Sequence, residues 1–169
     1  MSLIRQNYSD QSEQAVNKTI NEILHASYSY LNVAFFVDRD DITHPKLHKF
    51  FLELSDKKKA QAEKLLKYQN ERGGRVILQT IQKPTRDTWS TIPEALETAL
   101  NLEKHLNNQF LALCGIADAT NDPHFSDFIE EDLLDVEVSQ LKELADLLTQ
   151  AKRAGSGLGE FLFDKEFKS

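Results

Sequence analysis

Two glutamates occupy positions that the hydrophobic periodicity of their helical segments assigns to apolar residues. Glu103 lies within a run that has leucine or phenylalanine every three or four residues, and Glu137 lies within a second such run. Because residues at this spacing share the buried face of a helix, both carboxylates should point into the protein. A buried carboxylate needs a cation, a metal ion or hydrogen-bond donors to compensate its charge. The sequence therefore predicts a polar layer of the kind that helical bundles use for metal sites.

A lysine occupies the equivalent position in another helical segment. Lys58 falls in the apolar face of that segment, and Gln61 follows three residues later. A protonated ammonium group cannot bind a metal ion, and it repels a dication. A metal site in such a layer would need several oxygen ligands and at least one imidazole, whereas this layer offers only Glu103 and Glu137. We therefore expect Lys58 to pair with both glutamates and to take the place of a metal ion.

The composition excludes several classes of protein. The chain has 169 residues, of which 40% are hydrophobic and 28% are charged, as expected for one globular domain over 1–169. The net charge of −7 disfavours nucleic acid or an anionic membrane as the main partner. A single cysteine, Cys114, excludes an internal disulfide, and no signal peptide or membrane-spanning run is visible. These features predict a cytoplasmic protein.

Helix start and stop signals predict an all-α fold with four long helices and one short one. The bundle should cover residues of about 9–154, and a short helix should cover about 159–167. Short connections at Asp38–Asp41 and Asn121–Asp122 make the first two helices antiparallel neighbours, and likewise the last two. The connection between Gly73 and Thr91 has about 18 residues and can reach roughly 60 Å when extended. Because a helix of about 28 residues is only about 42 Å long, this crossover can make the second and third helices parallel.

The C-terminal segment carries several apolar residues after a glycine-rich hinge. Leu158, Phe161, Leu162, Phe163 and Phe167 lie within about ten residues. A helix this short is marginally stable alone, and it would leave an apolar patch on an isolated chain. We expect this patch to be buried in a subunit interface, although the segment could instead fold back on its own bundle.

A series of short sequence blocks occurs in a characteristic order along the chain. They are Arg5–Tyr8, Ala26–Leu31, Asp38–Asp41, Ala62–Lys67, Gln69–Arg75, Lys83–Pro84, Trp89, Leu102–Lys104, Asn121–His124 and Leu158–Lys165. With these blocks the chain resembles animal ferritin over nearly its whole length. The resemblance implies a four-helix bundle with a fifth short helix, a hollow shell of 24 subunits, and ferric mineral stored inside.

The residues at the metal layer separate the two types of ferritin subunit. Heavy-type subunits oxidise Fe(II) at a dinuclear site that uses a glutamate and a tyrosine on the first helix, a glutamate pair and a histidine on the second, a glutamate on the third and a glutamine on the fourth. The corresponding positions here are Ile23, Tyr30, Lys57, Lys58, Gln61, Glu103 and Glu137. Only the tyrosine and the third-helix glutamate match. The chain therefore resembles the light type, in which a salt bridge fills this site, and we expect no catalytic residues and no ferroxidase activity.

Two further sets of acidic residues are candidate sites for iron in transit. Asp127 and Glu130 lie one turn apart near the start of the fourth helix, where acids also complement the helix dipole. The resemblance implies that these two positions line a three-fold pore. Glu53, Asp56 and Glu63 are candidates for the cavity face of the second helix, where light-type subunits gather glutamates. The run Lys57–Lys59 interrupts them, so mineral nucleation should be weaker than in a light-type subunit.

Three functional hypotheses follow. The first is an iron-storage shell subunit without a working ferroxidase centre, which forms a homo-oligomer of 24 subunits or assembles with heavy-type subunits. Iron would then be cargo, and no cofactor would be bound in the bundle centre. The second is a ferritin-shaped cage or protein-interaction particle that stores little or no iron, a reading that Lys57–Lys59 favours. The third is a residual ferroxidase that uses Glu22, Tyr30, Glu103 and Glu137.

Overall fold

The computed structural model describes residues 1–168, and in this part of the chain every regular element is helical. The elements are α1 (Asp10–Val37), α2 (Pro45–Glu71), α3 (Ile92–Ala119), α4 (Pro123–Ile129), a π-helical segment (Glu130–Leu134), α5 (Asp135–Ala154) and α6 (Leu158–Lys165). The first three are long helices, and α4, the π-helical segment and α5 follow one another without a break as the fourth. This confirms the predicted four-helix bundle with a short C-terminal helix. None of the helices described is long and apolar enough to cross a membrane.

Side-chain caps begin three of the helices. Thr91 accepts a hydrogen bond from the backbone N–H of Glu94 at 3.2 Å, and Asp122 accepts one from Phe125 at 3.1 Å. Each cap satisfies a backbone donor that the first helical turn leaves without a partner. The cap of α1 is Ser9, whose side chain accepts from the backbone N–H of Ser12 at 2.9 Å. Helix α1 therefore begins at Asp10, one residue after the predicted start of the bundle.

The long crossover follows α1 along most of its length. Asn17 donates to the carbonyl of Arg75 at 3.0 Å, and Asn21 donates to the carbonyl of Thr80 at 3.1 Å. Further along, the ring nitrogen Nδ1 of His25 lies 3.0 Å from the carbonyl of Gln82. Later residues of the crossover thus meet later residues of α1. The connection runs back along the bundle and returns the chain to the end where α2 began, so α2 and α3 are parallel, as predicted.

The π-helical segment is a feature that the sequence did not predict. The backbone N–H of Asp135 donates to the carbonyl of Glu130, which is the five-residue spacing of a π-helix. A π-helical turn contains more residues than an α-helical turn, so it changes the direction in which all later side chains point. Glu137 lies two residues beyond Asp135. The segment therefore helps to set the face on which this glutamate lies.

The apolar core is divided into two clusters. One contains Tyr30, Phe51 and Leu96, and the other contains Ile23, Leu65 and Phe110, all of them almost completely buried. Along each helix the two clusters occupy successive stretches, and the predicted polar layer lies where they meet. In α2, for example, Leu54 belongs to the first cluster, Ala62 belongs to the second, and Lys58 lies between them.

Helix α6 folds back against α2, although its exposed side is apolar. The carboxylate of Asp164 accepts a hydrogen bond from the backbone N–H of Leu47 at 2.9 Å, and the rings of Phe167 and Phe50 lie 5.1 Å apart. The helix begins one residue earlier than the predicted range of about 159–167, and it ends two residues earlier, at Lys165. Phe167 lies beyond the helix, in a turn in which its backbone N–H donates to the carbonyl of Asp164. Leu158 and Phe161 are 71% and 58% exposed in the single chain. Burial of this apolar side in a subunit interface stays a prediction.

The contact between Asp164 and α2 predicts the effect of a substitution. Replacing Asp164 by alanine should lower the free energy of unfolding by about 1–2 kcal/mol, because the N–H of Leu47 in the first turn of α2 loses its acceptor. Thermal unfolding of the variant checks this. Glu166→Ala, an exposed carboxylate on the same segment, is the control. Equal effects of the two substitutions would contradict a capping role for Asp164.

Candidate metal centre

Lys58 lies between the two buried glutamates. Its ammonium nitrogen Nζ is 2.7 Å from Oε2 of Glu103 and 2.9 Å from Oε1 of Glu137. The three side chains come from α2, α3 and α5, and their exposure is 3%, 0% and 0%. These distances are those of charge-assisted hydrogen bonds. The ion pair predicted from helical periodicity is therefore present.

Tyr30 completes the environment of Glu103. The phenol donates a hydrogen bond of 2.6 Å to Oε1 of Glu103, so both oxygens of this carboxylate have a donor. Burial, together with the neighbouring carboxylate of Glu103, raises the pKa of Tyr30 well above its usual range. The phenol consequently stays protonated and acts as a donor at neutral pH.

The carboxyl group of Glu137 has fewer hydrogen-bond donors around it than that of Glu103. Lys58 donates to its Oε1, whereas its Oε2 is buried and has no hydrogen-bond partner within residues 1–168. Burial raises the pKa of Glu137 to about 8, the nearby Glu103 contributes in the same direction, and Lys58 opposes the shift. The shift favours the protonated form of Glu137 in the folded protein. With Glu137 protonated, the layer contains one cation and one anion, and its net charge is close to zero.

The other positions that the resemblance assigns to a metal site supply neither a carboxylate nor an imidazole to this layer. Ile23 is fully buried among apolar side chains, and Lys57 is exposed. Gln61 is 7% exposed, and its Oε1 is buried without a partner in the described part of the chain. Glu22, which the residual-ferroxidase hypothesis requires, instead lies 3.1 Å from Nε2 of His105. Within residues 1–168, no three His, Cys, Asp or Glu side chains are grouped so that they could hold a metal ion.

The remaining candidate residues lie on the surface of the chain. Asp127 is exposed on α4, and Glu130 is exposed at the first position of the π-helical segment. Glu53, Asp56 and Glu63 are exposed on α2. Their accessibility is compatible with contact to iron in solution, and their assigned roles stay predictions.

A groove beside the polar layer was not foreseen from the sequence. It has a volume of about 240 Å³ and lies between α2 and the fourth long helix. The polar residues that line it are Lys57, Lys58, Gln61, Lys64, Asp132 and Gln140. We call it the lysine groove. The only sequence signal for it is the spacing of Lys57, Gln61 and Lys64 on one face of α2, because the opposite wall comes from residues about 70 positions later.

Four long helices, one long crossover and a polar layer halfway along the bundle define the ferritin-like class of helical proteins. A family model described as "Ferritin-like domain" matches residues 13–154. The chain belongs to the ferritin family, which confirms the resemblance found in the sequence, and it is a subunit of an iron-storage family.

Named relatives are similar to the chain over almost its full length. It is 50% identical to the ferritin light chain, oocyte isoform, of Xenopus laevis over 167 residues, which cover 97% of this chain and 94% of the relative. It is 48% identical to the ferritin light chain of Bos taurus over 167 residues, covering 97% and 95%. It is also 48% identical to the soma ferritin of Lymnaea stagnalis over 166 residues, covering 98% and 95%. Because these identities are nearly equal, they do not distinguish a light-type from a heavy-type subunit. That distinction rests on the residues of the polar layer.

The ion pair predicts the stability of a lysine variant. Lys58→Ala should lower the free energy of unfolding by roughly 3 kcal/mol or more, because Glu103 and Glu137 lose the buried cation that they share. Thermal and denaturant unfolding of the iron-free protein measure this loss. Lys57→Ala is the matched control, since it removes the neighbouring exposed lysine and should change stability by less than about 0.5 kcal/mol. A Lys58→Ala variant as stable as this control would show that the pair contributes nothing.

The raised pKa of Glu137 predicts a dependence of stability on pH. The folded state retains the proton of this group up to a pH of about 8, whereas the unfolded state loses it near the ordinary pKa of 4.5. The contribution of this proton to the free energy of unfolding is therefore complete below pH 4.5. It decreases as the pH rises towards 8, by at most about 1.4 kcal/mol for each pH unit.

Unfolding measured from pH 5 to 9 checks this dependence. Glu137→Gln is the control, because the neutral amide cannot titrate and should remove this part of the slope. An unchanged slope in that variant would assign the pH dependence to other groups.

Proposed function

We propose that this chain is an iron-storage subunit without a working ferroxidase centre. The observation that carries the proposal is the ion pair of Lys58 with Glu103 and Glu137, at 2.7 and 2.9 Å. The ammonium group already occupies one oxygen of each carboxylate that could bind iron. Tyr30 occupies the second oxygen of Glu103.

Electrostatics opposes entry of iron into this layer. A dication about 4 Å from the Lys58 ammonium is repelled by on the order of 8 kcal/mol at an effective dielectric constant of about 20. Displacing the lysine would leave an ammonium group without its partners in a region where Ile23 supplies only apolar surface. Deprotonation of Glu137 would add one ligand oxygen, and it would also strengthen the attraction to Lys58. The layer therefore functions as a structural ion pair.

The proposal extends to assembly. We infer that residues 1–169 form one ferritin-like domain and that 24 copies build a shell, alone or together with heavy-type subunits. The exposed apolar residues support an interface of some kind. On α1 these are Tyr28, Leu31 and Phe35, and on α6 they are Leu158, Phe161 and Leu162. Apolar surface gathered in this way marks sites of protein association.

In this assembly iron is the cargo. Fe(II) would enter through pores lined by Asp127 and Glu130, since exposed acids of several subunits draw in cations. Oxidation would then occur slowly or on heavy-type partners, and ferric mineral would form at the acids Glu53, Asp56 and Glu63. We further propose a cytoplasmic location, which the single cysteine supports.

The second candidate function is a ferritin-shaped cage that stores little or no iron. The observation that favours it is the exposure of Lys57 and Lys59 next to the acids of α2, because ammonium groups weaken the field that attracts Fe(II). The iron content of the purified shell, loaded alone and with heavy-type partners, separates the two functions. A low content in both preparations would favour the second.

The absence of a ferroxidase centre predicts the kinetics of iron oxidation. Stopped-flow measurement of Fe(II) oxidation in air should give rates close to those of a protein-free blank, because the buried carboxylates are held by Lys58. Rapid oxidation that saturates at about two irons per chain and disappears in Glu103→Ala would instead establish a residual dinuclear centre.

A restored ligand set is the matched control for this experiment. The combined substitutions Ile23→Glu, Lys57→Glu, Lys58→Glu, Gln61→His and Glu137→Gln supply the residue types that the resemblance assigns to a heavy-type site. The variant should oxidise Fe(II) faster than the unmodified protein by an order of magnitude or more. If it folds and remains inactive, the ion pair is not what prevents oxidation.

A further inference from the structure

A pocket lies between α1, α3 and the last part of the crossover. It has a volume of about 330 Å³, within the roughly 300–1,000 Å³ of sites for small organic molecules. Its apolar lining includes Val33 of α1, Leu102 of α3 and Trp89 of the crossover. We call it the crossover pocket. Because an apolar cavity of about 150 Å³ holds one benzene molecule, this pocket has room for two fused rings.

Contacts between the crossover and the helices hold the walls of this pocket in place. The indole N–H of Trp89 donates to Oγ1 of Thr98 on α3 at 2.9 Å, and the same ring lies 5.1 Å from the ring of Phe36 on α1. The side-chain amide of Asn32 on α1 donates to the carbonyl of Arg86. The pocket is therefore formed without a ligand, which reduces the free-energy cost of binding one.

The charges around the crossover pocket favour a neutral ligand. Arg86 is the one lysine or arginine that lines it, and among residues 1–168 no carboxylate does so. The guanidinium group of Arg86 lies 3.3 Å from the carboxylate of Glu94. An anionic ligand would have to compete with Glu94 for this arginine, and a cationic ligand would find no counter-charge in the pocket.

Two side chains of α1 present hydrogen-bond acceptors at the pocket. Nδ1 of His25 lies 3.0 Å from the carbonyl of Gln82. Since a carbonyl can only accept, Nδ1 carries the proton, and Nε2 of the neutral ring is an acceptor. Asn32 uses its amide N–H on the crossover, so its Oδ1 also remains an acceptor. Both side chains line the pocket and are only half-buried, so a ligand can reach them.

We propose that the crossover pocket binds a neutral aromatic molecule that carries a hydroxyl group. The aromatic rings of the ligand pack against Trp89 and Leu102, because flat rings bury a large apolar area and pair favourably with an indole. The hydroxyl donates to Nε2 of His25 or to Oδ1 of Asn32. The site is formed by one chain, so it does not depend on the proposed storage function or on the number of subunits in an assembly.

Titration of the iron-free protein with β-naphthol at neutral pH tests this site. Trp89 reports on binding directly, because it lines the pocket and is the only tryptophan of the chain. We expect saturable quenching of its fluorescence, and isothermal titration calorimetry should give about one ligand per chain with a dissociation constant below about 1 mM.

A substitution that fills the pocket locates the binding site. Asn101 of α3 lines the pocket, and Asn101→Phe should weaken binding at least about tenfold because the larger side chain takes up part of the volume. Asn108→Phe is the matched control. It changes an exposed asparagine two turns further along α3 that does not line the pocket, and it should change the affinity by less than about twofold.

Two ligands with the same ring system test how the hydroxyl is recognised. The methyl ether of β-naphthol cannot donate a hydrogen bond, so it should bind at least about tenfold more weakly. β-Naphthoate, which is anionic and has no donor, should also bind more weakly. The proposal is overturned if β-naphthol does not saturate, if Asn108→Phe weakens binding as much as Asn101→Phe, or if the ether or the carboxylate binds as tightly. Near-identical thermal midpoints of both variants confirm that the fold is retained.

Discussion

The ion pair of Lys58 with two buried glutamates is the constraint on which the arrangement of the bundle depends. It connects α2 with α3 and α5 at the level where the two apolar clusters meet, and Tyr30 brings α1 into the same network. Apolar packing can tolerate small shifts between helices, but hydrogen bonds of 2.6–2.9 Å between buried groups cannot. The polar layer therefore fixes the register in which the four long helices pack.

A buried ion pair is not by itself evidence of high stability, because well-packed apolar residues often do as well or better. Its significance here lies in the interdependence of the members. Glu103 needs both Lys58 and Tyr30, whereas Glu137 depends on Lys58 and on its own proton. Removing Lys58 leaves Glu103 without its cation, and removing Tyr30 leaves one buried oxygen of Glu103 without a donor. We propose that such a network retains the acids of a metal layer while it keeps metal ions out, which would link the packing of the bundle to an absence of ferroxidase chemistry.

Most of the fold could be predicted from the sequence because its signals are local. Thr91 and the pair Asp122–Pro123 are caps and first-turn residues that start helices wherever they occur, and periodicity alone placed Lys58 opposite the glutamates. The π-helical segment could not be predicted, because it contains neither glycine nor proline and no residue of the sequence marks it. The proton on Glu137 and the lysine groove also depend on distances between helices, and these follow from the register that the π-helical segment helps to set.

The lysines of α2 show how one sequence run can serve two physical purposes. Lys57, Lys58 and Lys59 are consecutive, yet successive residues of a helix point about 100° apart, so each lies in a different environment. The charge of Lys58 is balanced inside the protein, and it therefore determines structure. The charge of Lys57 is not balanced by any described carboxylate, and it remains exposed to solvent. A count of charges along the chain treats these residues as equivalent, whereas burial and partners distinguish the internal counter-ion Lys58 from the solvent-exposed charges of Lys57 and Lys59.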